Sequence, residues 1–387
     1  MKRILIICSW VLYNGKLSPF FTEQAKLISN DFDVTLINIE PQSFGILDIF
    51  RIFSSPKSTM ITTEEGLPFL RIIYPQFAFL PKGINRYCRD KVLKVLNTQY
   101  KLSSSKDIIV HAQSIFNAGF WGYALNAAYG TQYLITEHNQ FFLKGISQSK
   151  IDRTQQVLYK AKHMLMVSHD KARQILNQGL RLQFKVIGNY VDERMFYPGK
   201  KKDDNVFKLI TIGAYHHLKD VQTIFDMLKL LDAIKYEKKI EFTYVGFNAW
   251  GGDHTAMVNK KIEALNLHNI TIKLIPLATR LEVSNLLKES DLFLLSSISE
   301  GMSVSILEAL ATGLPVCTTQ CGGVDELIKD FNGKIVPLRD SEAMFDFTDS
   351  CIKGMLHFDK EKISKAIIAE YGNEAFKKRL LKYYTFE

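Results

Sequence analysis

Two glutamates stand in a stretch of the sequence where carboxylates are otherwise scarce, and their setting suggests chemistry. Glu308 is the only carboxylate side chain between Glu300 and Asp325. It lies in the apolar run SILEALA, where burial of an unpaired charge would cost several kcal/mol. We therefore expect Glu308 to have a partner, which is either a cationic side chain or a group on a ligand.

The residues around the two glutamates predict a strand, a helix and a second strand. The apolar run at 291–297, DLFLLSS, is typical of a strand that is buried on both faces. A helix is predicted over Val304–Ala311, with Ser303 as its N-cap and with Gly313 and Pro315 as stop signals. The second strand begins after Pro315.

This arrangement places Glu300 just after a strand, at the N-terminus of the following helix. Helix N-termini present backbone N–H groups and a partial positive charge, and open parallel sheets bind ligands beyond the carboxyl ends of their strands. A ligand that carries phosphates and sugar hydroxyls would suit the helix terminus and the two carboxylates. The alternative is a helix-terminal carboxylate with a half-buried ion pair, and the residue pattern alone leaves both open.

The spacing between the glutamates carries a resemblance to a known family. Seven residues separate Glu300 from Glu308, the run ALATGLPV follows, and Gly322 and Gly323 come next. This pattern resembles the E-x7-E signature of retaining glycosyltransferase family 4, the glycosyl transferases group 1. The resemblance implies an α/β protein with the GT-B fold, in which two Rossmann-like parallel-sheet domains face each other across a cleft.

The same resemblance implies an enzyme and its substrates. We expect a hexosyl- or N-acetylhexosaminyltransferase that moves a sugar, with retention, from a nucleotide-diphosphate sugar to a glycan or a lipid-linked glycan in bacterial surface polysaccharide synthesis. No cofactor and no metal are expected, because cations and helix dipoles would neutralise the diphosphate. The alternative is a nucleotide-sugar epimerase or another nucleotide-sugar-binding enzyme on the same fold.

Positions that match the family motifs are the predicted site residues. The predicted catalytic residues are His138, Glu300 and Lys219. Lys219 would clamp the diphosphate, Glu300 would hold hydroxyls of the transferred sugar and Glu308 those of the ribose. His138, in a Thr-x-His context at the end of a predicted strand, would lie near the transferred sugar. The predicted donor-binding residues are Gly15, Lys219, Glu300, Gly301, Met302, Ser303, Val304 and Glu308.

The sequence departs from the family pattern at two positions. Ala214 stands where the family usually has an arginine that clamps the diphosphate together with the lysine, and His216 or His217 could compensate for its loss. Gln113 stands where a second histidine is common, beside His111. The loop at Gly15 and Lys16 also lacks the paired glycines of the family.

Domain organisation follows from the order of the predicted elements. We predict an N-terminal acceptor-side domain over 1–190, a linker over 191–205 and a C-terminal donor-side domain over 206–371. A terminal helix from about 372 to 387 is expected to pack on the first domain. The uncharged stretch 108–136 is interpreted as strand, helix and strand instead of a membrane span, because it contains His111 and other polar residues.

Charge is distributed unevenly along the chain. The formal net charge is +9, and residues 1–190 hold 23 Lys and Arg against 12 Asp and Glu, whereas the remainder holds 26 against 28. Basic surfaces attract nucleic acid, anionic lipids or anionic substrates. The basic helix predicted from residue 84 onward either rests on anionic headgroups or is a solvated face. We expect no nucleic-acid partner, since aromatic residues accompany the positive charge in that helix only.

The five cysteines indicate a reducing compartment. They are too few and too scattered for a disulfide framework, and no pattern of histidines around them predicts a zinc site. We therefore expect a cytoplasmic protein that is peripheral on the inner face of the cell membrane. The sequence identifies neither the sugar, nor the base of the nucleotide, nor the acceptor.

Overall fold

The computed structural model describes residues 2–10, 17–77, 82–138, 143–199, 205–250 and 252–385. The chain divides into two compact units. The first comprises residues 1–167, 172–187 and 379–387, and the second comprises 168–171 and 188–378. Gly15 and Lys16, which were predicted to approach the donor, lie outside the described residues.

The first unit is built on one eight-stranded sheet. Its strands are Arg3–Cys8 (β1), Asp33–Ser43 (β2), Lys57–Thr62 (β3), Pro68–Gln76 (β4), Ile108–Gln113 (β5), Gln132–Glu137 (β6), His163–Met166 (β7) and Lys185–Val186 (β8). They are ordered β3-β4-β2-β1-β5-β6-β7-β8, and all pair in parallel except β3 with β4. β5 is buried along its whole length and β1 at every residue after Arg3, because both faces of these central strands are covered.

Helices cover this sheet and bury its apolar side chains. They are Pro19–Ile28 (α1), Lys82–Tyr100 (α2), Phe120–Tyr129 (α3), Gln148–Lys160 (α4) and His169–Leu176 (α5). In α2, Val92, Leu93 and Leu96 point into the core while Arg86 and Lys94 are exposed, as its helical spacing predicts.

The second unit is a six-stranded parallel sheet with helices. Its strands are Val206–Ile212 (β9), Lys239–Val245 (β10), Ile270–Ile275 (β11), Leu292–Leu295 (β12), Val316–Thr319 (β13) and Gly333–Val336 (β14). Its helices are Val221–Asp232 (α6), Thr255–Glu263 (α7), Arg280–Glu289 (α8), Val304–Ala311 (α9), Ser341–Ile352 (α10), Lys360–Tyr371 (α11) and Asn373–Leu381 (α12). The strand order β11-β10-β9-β12-β13-β14 is that of a doubly wound nucleotide-binding sheet, which reverses between β9 and β12.

Three boundaries differ from the sequence prediction. The second unit begins at residue 188, so that residues 188–190, predicted in the first domain, belong to it. The segment 168–171, predicted in the first domain, belongs to the second unit because the hydroxyl of Ser168 donates to the carbonyl of Gly301 at 2.7 Å. The terminal helix was predicted to run to residue 387, but α12 ends at Leu381. The chain leaves the helix there, and Tyr384 is buried with its hydroxyl 2.7 Å from Nδ1 of His111.

Within the described ranges, no helix combines the length and the apolar character that crossing a membrane requires. The stretch 108–136 forms β5, α3 and β6, as predicted.

Candidate active site

The site in the second unit forms where its strand order reverses. β9 and β12 are neighbours in the sheet, but the chain leaves their carboxyl ends towards helices on opposite faces. Lys219 lies in the loop after β9, and Glu300 lies in the loop after β12. The fold therefore brings together two residues that are far apart in the sequence.

Lys219 and Glu300 form an ion pair at this point. The ammonium of Lys219 donates to Oε1 of Glu300 at 2.6 Å, and the two side chains are 17% and 14% exposed. The ammonium also lies 5.3 Å from the ring centre of Trp250, whose face is attractive to a cation. A half-buried cation that is held in this way is suited to an anionic ligand, because little solvent screens it.

Neighbouring groups fix the position of Glu300. Its Oε1 also accepts a hydrogen bond from the hydroxyl of Ser297 at 2.7 Å, and its backbone N–H donates to the carbonyl of Cys321 at 2.5 Å. Burial, followed by the charge of Glu300, raises the pKa of the Cys321 thiol to about 12. Cys321 is therefore protonated at neutral pH and is not a nucleophile.

The turn that leads into α9 is held by polar side chains. Ser303 caps the helix by accepting from the backbone N–H of Ile306 at 3.4 Å, and the cap was predicted from the sequence. The amide of Asn189 donates to the carbonyl of Met302 at 2.8 Å. These contacts fix the segment from Gly301 to Val304 at the helix N-terminus, where backbone N–H groups can meet an anion.

Glu308 has the partner that its apolar setting required. Its Oε1 accepts from the guanidinium of Arg280 at 2.9 Å, and its side chain is 10% exposed. Arg280 in turn lies 5.2 Å from the ring centre of Phe196. The arginine, which the sequence analysis did not single out, offsets the charge of this buried carboxylate.

The position of the missing arginine is buried and apolar. Ala214 is 4% exposed. Partial burial lowers the pKa of His216, and the charges of His217 and Lys219 lower it further. His216 is therefore neutral at pH 7 and does not replace the arginine as a cation.

The predicted histidine of the first unit lies in a chain of hydrogen bonds. His138 follows β6, and its Nε2 is 2.7 Å from Oε1 of Gln113, whose amide donates to Gln24 at 2.8 Å. The Phe20 ring meets the His138 ring edge to face, with 4.7 Å between their centres. Gln113, which replaces a histidine of the family pattern, orients His138 by accepting from its ring N–H.

His111 is part of the same network but is enclosed. Its ring nitrogens lie 2.7 Å from the Tyr384 hydroxyl and 2.7 Å from the Thr136 hydroxyl. Burial lowers the pKa of His111 to about 3, with a smaller contribution from His138. A fully buried neutral imidazole of this kind orients its neighbours and does not contact a substrate.

The structure thus places Lys219, Glu300 and the Gly301–Val304 segment in one site. It pairs Glu308 with Arg280. The roles predicted for them, and for His138 in the first unit, stay predictions. Sequence reasoning missed Ser297, Arg280 and Trp250. Ser297 stands three residues before Glu300 at the end of a predicted strand, which was an available signal, whereas no pattern marks Arg280 or Trp250.

Comparison with known proteins gives a family match within the second unit. Residues 193–366 match the family described as "Glycosyl transferases group 1". An Escherichia coli protein, UDP-Gal:alpha-D-GlcNAc-diphosphoundecaprenol alpha-1,3-galactosyltransferase, is 26% identical over 287 residues, which cover 69% of this chain and 72% of that protein. The Campylobacter jejuni N,N'-diacetylbacillosaminyl-diphospho-undecaprenol alpha-1,3-N-acetylgalactosaminyltransferase is 24% identical over 364 residues, covering 84% and 90%.

A solved structure matches over nearly the whole chain. Anabaena Alr3699/HepE in complex with UDP and glucose superposes with a TM-score of 0.73 at 15% identity and covers 99% of both chains. The matched segment contains Lys219, Glu300 and Glu308, and the likeness in fold extends over both units. Residues 193–366 therefore match the group 1 glycosyl transferases, and the chain has the GT-B fold.

Proposed function

We propose that this glycosyltransferase takes a hexose or an N-acetylhexosamine from a nucleotide-diphosphate sugar and transfers it with retention of the anomeric configuration. The observation that carries the proposal is the Lys219–Glu300 pair at the point where the sheet of the second unit reverses. The ammonium of Lys219 suits the diphosphate, and the carboxylate of Glu300 suits the hydroxyls of the sugar.

Charge movement explains the roles of these residues. When the bond between the sugar C1 and the diphosphate oxygen breaks, negative charge develops on the diphosphate. Lys219 and the N–H groups of the Gly301–Val304 segment would stabilise that charge, while Glu300 accepts hydrogen bonds from the sugar. Glu308 would hold the ribose hydroxyls, and His138 would contact the transferred sugar. The acceptor oxygen forms the new bond to C1 as the bond to the diphosphate breaks, and its proton passes to the departing diphosphate oxygen.

We also propose that the reaction needs no metal ion. Lys219 and the helix N-terminus are fixed donors for the diphosphate, so that an ion is not required to neutralise it. Turnover that is unchanged by excess EDTA would support this, and turnover that depends on Mg²⁺ or Mn²⁺ would contradict it.

For the acceptor, we propose a glycan carried on a lipid diphosphate in bacterial surface polysaccharide synthesis. Support comes from the two relatives, whose names include a sugar joined through diphosphate to undecaprenol. The excess of positive charge in residues 1–190 suits an acceptor that is anionic. We place the reaction at the cytoplasmic membrane surface, where such an acceptor would be presented.

The test combines donor screening with product analysis. Nucleotide sugars would first be screened for thermal stabilisation, because a ligand that binds only the folded state raises its melting temperature. The donor that binds would then be incubated with a lipid-diphosphate-linked sugar, and the linkage would be analysed by NMR. An α-linked product from an α-linked donor supports retention, and an inverted product would contradict it. Isomerisation of the donor without acceptor would instead indicate an epimerase.

A further inference from the structure

The first unit has a cavity beside the basic helix α2. It has a volume of about 900 Å³ and lies between α2, α3 and α4, with the turn Ile115–Gly119 at one side. The cavity is open to solvent on its remaining side and is wide enough for a ligand of the size of a disaccharide or a lipid headgroup.

Four cations line this cavity, which we call the basic pocket. Arg86 and Arg89 come from α2, and Lys150 and Arg153 come from α4. None of the four forms an ion pair with any described residue. The carboxylates of Asp90 and Asp152 also line the pocket, so that the net charge of the lining side chains is +2.

The arginines are close enough to repel each other. Burial lowers the pKa of Arg153, and the charge of Arg89, together with a smaller effect of Arg86, lowers it further. Like charges that are held together in a partly buried place destabilise the protein unless a counter-ion joins them. An anionic ligand would remove this repulsion and accept hydrogen bonds from two guanidinium groups.

The walls of the pocket are aromatic as well as basic. Phe116 and Phe120 are stacked, with 6.2 Å between ring centres and 17° between ring planes. The ammonium of Lys150 lies 5.1 Å from the centre of the first ring, and the guanidinium of Arg153 lies 5.2 Å from the second. These contacts orient the two cations and leave an apolar wall beside them. A ligand for this pocket carries an anionic group next to an apolar chain or the face of a sugar.

Short contacts connect the basic pocket to the end of β6. Phe116 and Asn117 of the pocket belong to the turn after β5. The backbone N–H of Ile115, in the same turn, donates to the buried carboxylate of Glu137 at 2.7 Å. His138 is the next residue. A molecule bound in the pocket therefore lies near the strand end that carries His138.

We propose that the basic pocket binds the diphosphate of the lipid-linked acceptor, with Arg89 and Arg153 as its principal ligands and with the Phe116–Phe120 wall against the first part of the lipid. The proposal rests on the proposed function, since it assumes an acceptor that carries a diphosphate. It goes beyond that function in naming the residues that select the acceptor by charge.

The test measures binding of geranyl diphosphate to the full chain by titration calorimetry. The probe has a diphosphate and a short prenyl chain, and geraniol is its neutral counterpart. We expect the wild-type protein to bind the diphosphate and not geraniol, and we expect Arg89→Gln/Arg153→Gln to weaken binding by at least about tenfold, since two charge-assisted hydrogen bonds are lost. Arg181→Gln, at an exposed arginine of the same unit outside the pocket, is the control and should leave binding unchanged.

Further arms of the experiment separate this proposal from others. An excess of the nucleotide sugar that binds in the donor screen should not displace geranyl diphosphate. Displacement would mean that the probe occupies the donor site, which would overturn the proposal. Equal affinity of the wild type and the double variant for geranyl diphosphate would overturn it as well. Inorganic pyrophosphate should bind more weakly than the prenyl ester. Donor binding is measured separately, so that failure of the proposed function is seen as loss of nucleotide-sugar binding in the wild type.

Discussion

At the scale of single residues, the Lys219–Glu300 contact has two physical interpretations. In the first, the ion pair only stabilises the second unit. In the second, the pair belongs to the donor site and opens when a nucleotide sugar binds, so that Lys219 contacts the diphosphate and Glu300 the sugar. The partial exposure of both side chains favours the second interpretation, because a ligand can reach them without unfolding of their surroundings. The two interpretations differ in what a conservative substitution of the glutamate changes.

We predict that Glu300→Gln reduces transfer by at least about 100-fold with little change in melting temperature. The amide keeps the volume and can still accept from Lys219 and Ser297, but it binds sugar hydroxyls without the charge that strengthens such bonds. Initial rates at saturating donor and a thermal melt measure the two effects.

The control for this substitution is Asp349→Asn. Asp349 is as buried as Glu300, at 14% exposure, and pairs with Lys353 at 2.7 Å on α10. It should lower the melting temperature slightly and leave transfer intact. If Glu300→Gln behaves like this control, the pair is structural and the assignment of Glu300 is wrong.

His111 predicts a pH dependence of stability. Its pKa is about 3 in the folded chain and 6.5 when the imidazole is free in solvent, as in the unfolded chain. Below pH 6.5 the unfolded chain therefore binds a proton that the folded chain does not. Stability is full above pH 6.5 and falls as the pH drops towards 3. The expected loss between pH 7 and pH 5 is on the order of 2 kcal/mol from this residue.

His111→Gln should flatten this dependence, because glutamine does not titrate and can still bond to Tyr384 and Thr136. Urea denaturation at pH 7 and at pH 5 gives the free energy of unfolding for both proteins. Equal pH slopes in the wild type and the variant would show that His111 does not govern acid stability.

At the scale of elements, the turn after β13 determines where Glu300 lies. Gly322 has φ +118°, and the carbonyl of Glu300 occupies the place where a Cβ would stand. Gly323 is packed in the same way against the carbonyl of Gly301. Glycine is thus required at both positions, because the backbone of the turn lies directly against the backbone of Glu300 and Gly301. This contact fixes the position of the segment at the N-terminus of α9.

We predict that Gly322→Ala destabilises the chain by about 2–4 kcal/mol and weakens donor binding, because the Glu300 backbone must move. The matched control is Gly354→Ala, at φ +71° with open space around it, where only the backbone strain of about 1–2 kcal/mol is expected. Chemical denaturation and titration with the donor measure both effects. Unchanged donor affinity in Gly322→Ala would mean that the turn does not position the site.

The elements that the sequence predicted well are those with a local signal. The apolar run at 291–297 identified β12, the uncharged stretch 108–136 identified β5, and the Ser303 cap with its stop signal identified α9, all of which the structure has. β3 was missed because its six residues are exposed on both faces, so that no alternation of apolar and polar residues marks it.

The candidate site could be predicted only in part for the same reason. Glu300, Glu308 and Lys219 were found from a motif, and the need of Glu308 for a partner followed from its apolar neighbours. Arg280 as that partner depends on how α8 packs beside α9, and the contact of Trp250 with Lys219 depends on loop geometry. Neither is encoded in a local pattern. The role of Gln113 became visible only when its hydrogen bond to His138 was known.

At the scale of the whole molecule, the positive charge of residues 1–190 is accompanied by exposed apolar side chains. The short 3-10 helix Ile46–Phe53 exposes 89% of Leu47, 63% of Phe50 and 79% of Phe53. The ammonium of Lys91, on the basic helix α2, donates to carbonyls at the end of this segment. An apolar surface next to lysines is typical of a protein that rests on an anionic bilayer.

We predict that the protein binds vesicles containing phosphatidylglycerol, that binding falls as salt rises, and that Phe50→Ser/Phe53→Ser weakens it by at least about tenfold. Inserting each phenyl ring into the acyl boundary is worth about 1.5–3 kcal/mol, and the lysines add attraction that salt screens. Vesicle sedimentation measures the bound fraction.

The control for the vesicle experiment is Met355→Ser, which removes a side chain of 70% exposure from the second unit, where the charge of the sequence is close to balanced. It should bind vesicles as the wild type does. If Phe50→Ser/Phe53→Ser binds vesicles as well as Met355→Ser does, the apolar segment does not insert, and α2 is the solvated face that the sequence left open.

If the phenylalanine variant binds tenfold more weakly at every salt concentration but its binding still falls with salt, then charge attracts the protein to the bilayer and the aromatic rings anchor it there. Transfer to a lipid-linked acceptor should then fall in parallel with vesicle binding, while transfer to a water-soluble acceptor should not.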